Sequence, residues 1–236
     1  MSDNLPTYLT FPDFGLLRLS GVDAEAFAQS QFANDVAALQ PGQWHWSCWL
    51  TAKGRVLAVF ALIRPEPGQL LLLLPDGRAD TLAPALARYV FRRKVSVRMA
   101  EQLQVSGALQ APQRASGNQL GVLDDGSLEL DMGGDGLPRS LRIGSVSHTA
   151  SADADVDACL LWRLQDLQLG LVRLDDSQLE SWTPQQLGLD RLGAYSVRKG
   201  CYPGQEIVAR THFLGKAKRA TALLTTTIAA SSGATV

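Results

Sequence analysis

The sequence predicts an α+β protein. Three observations carry that expectation. Its apolar runs, Val56–Ile63 and Leu70–Leu74 among them, are strand-length and too short for the roughly 20 apolar residues of a membrane helix. Turn-forming clusters such as Pro65-Glu-Pro-Gly68, Pro75-Asp-Gly77 and Asp124-Asp-Gly-Ser127 separate these runs. Helical periodicity is confined to a few stretches and does not recur after every strand.

In chain order, Phe14–Ser20 reads as a strand ended by Gly21, and Asp23–Phe32 as a helix closed by the turn chemistry of Asn34-Asp35. Trp44–Leu50 and Val56–Arg64 are β-rich runs around Thr51–Arg55, and Gln69–Leu74 is a third, buried strand. Alternation puts Trp44 and Trp46 on one strand face and Trp49 on the other. Arg78–Phe91 is expected as an amphipathic helix with apolar positions 82, 86, 89 and 90, and Lys94–Met99 as a strand. The order suggests the split β-α-β of ferredoxin-like domains. Further on, Gly121–Met132 carries a hairpin signal, Leu141–Val146 reads as a strand, Val156–Leu167 as a helix, and Arg219–Ile228 as one strand. The domains expected are 1–102, a first α+β unit; 103–158, a second; 159–215, a return segment; and 216–236, the start of a further β unit.

Composition narrows the function classes. The chain has 236 residues, 46% hydrophobic and 19% charged, which suits one large domain or several small ones. A formal net charge of −1 supplies no global field toward nucleic acid or membrane, so neither partner is expected. Cys48, Cys159 and Cys201 form no CxxC pair and no zinc spacing. No metal site and no disulfide framework are expected, which favours a reducing cytoplasm. The first residues lack the basic and apolar regions of a secretory signal.

The most informative stretch is Lys199-Gly-Cys-Tyr-Pro-Gly-Gln-Glu206. Gly200 and Gly204 permit positive φ, Pro203 fixes a bend, and a lysine near Cys201 would favour its thiolate. The nearest downstream histidine, His212, is eleven residues beyond Cys201, which weakens a Cys-His nucleophile.

With the following Ile207–Arg210, Gly215 and Lys218-Arg219, this run resembles the signature of the YgfZ family of folate-binding proteins, which is related to the aminomethyltransferase (T-protein) of the glycine cleavage system. Gln31–Val36, Ala52-Lys-Gly-Arg55, Arg88–Val95, Pro184-Gln185 and Leu189 fall in family spacing too, so the resemblance spans roughly residues 10–225. It implies ferredoxin-like α+β domains around a folate cavity, with a C-terminal β-barrel here truncated. It implies a monomeric accessory protein that binds tetrahydrofolate or a related folate and supports iron–sulfur enzymes or assembly factors, including those that modify tRNA. Cys201 and Lys199 are its candidate catalytic residues. Its candidate folate residues are Tyr202, Gly204, Gln205, Glu206, Arg210, Gln168, Asn34, Asp35, Lys53, Arg55 and Trp46.

Two departures bear on activity. The positions where the T-protein carries paired aspartates hold Ala58 and Val59, which speaks against aminomethyl transfer, the alternative reading. Gln168 stands where relatives often have a pterin-facing glutamate, and carries no charge. A third reading, RNA binding through Arg88, Arg92, Arg93, Lys94 and Arg98, is weaker, because such runs are commonly solvated surface.

Overall fold

The computed structural model describes residues 8–11, 14–146, 152–153, 156–215, 217, 219–225 and 227. Its strands are β1 (Leu9–Thr10), β2 (Gly15–Ser20), β3 (Gln43–Leu50), β4 (Val56–Glu66), β5 (Gln69–Leu74), β6 (Ser96–Met99), β7 (Leu103–Ala108), β8 (Gly121–Val122), β9 (Leu128–Asp131), β10 (Ser140–Ser145) and β11 (Ala152–Asp153). Its α-helices are α1 (Ala24–Gln31), α2 (Ala79–Ala87), α3 (Val156–Gln168) and α4 (Gln205–Leu214).

The first sheet has the order β3-β4-β5-β2-β6, with every neighbouring pair antiparallel. Strands β5 and β6 therefore run parallel with β2 between them. Together with α2 they form the anticipated split β-α-β, enlarged by one strand because β3, β4 and β5 make a three-stranded meander. The odd-numbered residues of β2 and the even-numbered residues of β5 pack against α1 and α2, in a core that includes Leu17, Leu19, Phe27, Phe60 and Leu72. The second sheet has the order β11-β1-β7-β10-β9-β8. It is antiparallel apart from the β1–β11 pair. The two sheets meet face to face over Leu16, Ile63, Leu71, Leu73, Leu130, Leu141 and Ile143, with Trp162 of α3 among them. A third core lies under the return segment, where Cys48, Leu50, Val59, Leu189, Tyr202 and Val208 pack together.

Four expectations change. The second unit is not confined to 103–158, because β1 pairs with β7 and belongs to its sheet. The helix expected to reach Phe91 stops at Ala87, after Pro84, and turns follow; Phe91 sits at φ +49, which ends helical geometry there. The signature does not end in a loop: α4 starts directly after Gly204. The strand expected over Arg219–Ile228 is not formed by 219–225, which find no partner strand among the described residues; 226 and 228 lie outside them. This stretch is tied down at Thr221, whose backbone N–H and hydroxyl both donate to the Gln186 carbonyl at 3.0 Å.

Candidate functional site: a tryptophan-walled cavity backed by the signature loop

The turn between β3 and β4 is closed by Thr51 N–H donating to the Arg55 carbonyl (2.8 Å) and Gly54 N–H to the Thr51 carbonyl (2.9 Å). Gly54 lies at φ +69 and Gly204 at φ +80. A Cβ on Gly204 would stand 2.6 Å from both the Gly54 Cα and the Thr51 carbonyl oxygen. The Ala52-Lys-Gly-Arg55 motif and the signature thus touch backbone to backbone, which only glycine permits. Arg55 donates to the Ser181 carbonyl (3.0 Å) and to Gln186 Oε1 (3.3 Å), and Lys53 is exposed.

Lys199 is 6% exposed. Its ammonium donates to the carbonyls of Gln29 (2.6 Å), Phe32 (2.6 Å) and Asn34 (2.9 Å). These lie at and just beyond the C-terminal end of α1, where orphan carbonyls and the helix dipole favour a cation. The charge also lies 5.2 Å from the Tyr202 ring centroid. Burial pulls its pKa down to about 8, opposed by Asp35 and Cys48. All three ammonium donors are committed to carbonyls at and just beyond the end of α1, and Cys201, two residues on, is exposed. Burial pushes the Tyr202 phenol upward, and its hydroxyl donates to the Ser196 carbonyl at 3.1 Å. Gln205 Nε2 donates to the Lys199 carbonyl (3.2 Å), and Glu206 pairs with Arg210 at 2.6 Å on the exposed side of α4. Of the two signature glycines expected at positive φ, only Gly204 adopts it.

Farther along the same face of β3, at Trp44 and Trp46, lies a cavity of about 440 Å³, within the common range for small-molecule sites. Trp44 and Trp46 wall it, edge to face with centroids 5.7 Å apart, as their shared strand face predicts. Trp49 faces the opposite core, against Tyr89. Trp44 Nε1 donates to the Gly117 carbonyl (3.0 Å). Asn118, Asp131, Arg191 and Leu169 are also in its lining. Asp131 accepts from the backbone N–H of Gly117 (3.0 Å) and Gly133 (3.1 Å), leaving lone pairs on both oxygens. Arg191 is exposed and makes no ion pair with a described residue.

Of the sequence-derived residues, Trp46 lines this cavity. Asn34 adjoins it, donating to the carbonyls of Trp46 and Gly193 at 2.7 Å each. Asp35 accepts from Gln29 Nε2 at 3.1 Å, within the α1 turn. Tyr202, Gly204, Gln205, Glu206, Arg210, Lys53 and Arg55 are not part of the cavity wall; Tyr202 packs in the adjoining core, which shares Trp46 and Leu171 with the cavity. The physical reason is that the signature's polar groups satisfy one another and the ends of α1 and α4. Gln168 is exposed at the end of α3, one residue before Leu169. The sequence reading missed Asn118, Asp131 and Arg191. It also missed His45, which borders the cavity and whose Nε2 is buried without a hydrogen-bond partner. Its position between two tryptophans was the available signal. Burial, then the Lys199 charge, lowers the His45 pKa to about 4. Ala58 and Val59 are each 3% exposed, on opposite faces of β4, and bring no carboxylate to the site.

No model of a known protein family matches the chain. The fold is that of the glycine cleavage aminomethyltransferases: the T-protein of Bartonella henselae superposes with a TM-score of 0.64 at 16% identity, over 89% of this chain. The chain spans 64% of the length of that solved structure. In sequence, the chain is a homologue of proteins named tRNA-modifying protein YgfZ, which bears out the resemblance carried by the signature. It is 29% identical to that of Colwellia psychrerythraea over 91% of this chain and 70% of the relative. It is 28% identical to that of Klebsiella pneumoniae over 93% and 72%. An uncharacterized protein of Haemophilus influenzae is 28% identical over 90% and 71%.

Proposed function

We propose that this protein binds a reduced folate in the tryptophan-walled cavity and acts as an accessory factor for iron–sulfur enzymes, including those that modify tRNA. The observation that carries this is the cavity's donor set. A folate has a flat pterin, an aromatic linker and an anionic glutamate tail. Trp44 and Trp46 offer an apolar aromatic wall, Asp131 two oxygens for pterin N–H donors, and Arg191 an uncommitted cation for the tail. The YgfZ-named homologues support the tRNA-modification side of the reading. Cys201, exposed next to the buried Lys199 anchor, is the group left free for chemistry with a partner. Aminomethyl transfer is not favoured, because Ala58 and Val59 supply no acid–base group.

Calorimetric titration with tetrahydrofolate tests the site. Binding on the order of micromolar Kd is expected, weakened about tenfold by Trp46→Ala or Asp131→Asn and unchanged by Cys201→Ser. Absence of heat with the native chain would overturn the folate reading. In a strain complemented for iron–sulfur-dependent tRNA thiolation, Cys201→Ser should abolish support while folate binding persists; full support would remove Cys201 from the proposal.

A further inference from the structure

On the far edge of the first sheet, away from the tryptophan cavity, β2 and β6 place two arginines directly opposite each other. Arg18 pairs with Arg98, and Ser20 with Ser96. Alternation puts all four side chains on one face, the face that further along carries Leu16 and Leu71 into the inter-sheet core. Like charges opposite each other on a strand pair destabilise it. Neither arginine makes an ion pair with a described residue. Arg98 Nε donates to Ser96 Oγ at 3.0 Å, while Arg18 Nε is buried with no partner. Buried polar groups without partners are rare and point to a missing ion or water. The four residues line a cavity of about 370 Å³, which Met99 and Glu101 share.

We propose that this β2–β6 face is a phosphate-binding site for a small phosphorylated ligand, with Arg18 and Arg98 as guanidinium clamps and Ser20 and Ser96 as hydroxyl donors. Guanidinium forks match phosphate oxygens in pairs, and one phosphate neutralises the repulsion between the two strands. The cavity has room beyond a phosphate for an attached organic group. Glu101 at its rim favours a compact ligand over a long polyanion, whose flanking phosphates it would repel. The site is independent of the folate reading.

The test uses the full chain and inorganic phosphate, followed by thermal unfolding and calorimetry at constant ionic strength. Phosphate should raise the melting temperature of the native chain, and its binding should weaken about tenfold or more in Arg18→Gln and in Arg98→Gln. Without phosphate, Arg98→Gln should melt at or above the native temperature, since it removes the repulsion. That readout also separates a lost site from a misfolded variant. Equal stabilisation of native and variant chains, or no effect of phosphate on the native chain, would overturn the site. So would arginine-dependent binding of an oligouridylate that phosphate fails to compete, since that assigns the arginines to a nucleic-acid backbone.

Discussion

At the scale of single residues, the buried titratable groups Lys199 and His45 define what the protein tolerates. Lys199→Met leaves three carbonyl oxygens around the C-terminal end of α1 without a donor, and should cost about 2–4 kcal/mol in urea unfolding. His45 gives a pH signature. Its pKa in the folded chain is lowered from the usual 6.5 to about 4, so between those values the unfolded chain binds more protons than the folded one. Stability should therefore fall as pH drops from about 6.5 to about 4, by up to about 3 kcal/mol. His45→Gln should flatten that part of a stability–pH curve. The sequence made some of this legible. Period-two alternation correctly separated Trp44 and Trp46 from Trp49, because a half-buried strand leaves no other arrangement. The partners of Lys199 were not legible: they are backbone oxygens about 170 residues away in sequence, and any residue type supplies a carbonyl.

At the scale of elements, two motifs far apart in sequence work as one contact. The β3–β4 turn and the start of α4 meet through Gly54 and Gly204, both at positive φ. Gly204→Ala adds a Cβ within 2.6 Å of backbone atoms and strains φ, and should cost about 2–4 kcal/mol in thermal unfolding. Gly200→Ala, with open space around it and no positive φ, is the control and should be near neutral. The signature's composition hid α4, since its glycines and proline read as a loop while the helical run Gln205–Leu214 begins only where they end. The reverse error arose at 219–225, whose β-branched and leucine residues read as a strand. Propensity of that kind describes a fit to a pleated neighbour, and none is present among the described residues.

At the scale of the whole molecule, Asp166 of α3 holds the layers together. It pairs with Arg139, just before β10, at 2.5 Å and with Arg173 of the return segment at 2.7 Å. Arg173 in turn donates to the Pro75 carbonyl at the end of β5. Asp166 and Arg139 side chains are both 2% exposed. Asp166→Asn strands a buried guanidinium and should lower unfolding free energy by about 3–5 kcal/mol, with both sheets lost in one transition followed by tryptophan fluorescence and circular dichroism. Splitting of that transition into two would show that the sheets unfold independently.

The pairing of Leu9 with Gly107 and Ala152 also sets a timetable for making the protein. A ribosome adding roughly 5–20 residues per second emits β1 several seconds before β7, and longer still before β11. The first sheet has all its strands by Met99 and is free to form during that interval. The leading strand must wait outside it, unclaimed, until the second half of the chain arrives to close over it. Nascent chains arrested just after residue 100 should therefore expose the N-terminal segment to protease, and chains arrested well past residue 153 should protect it.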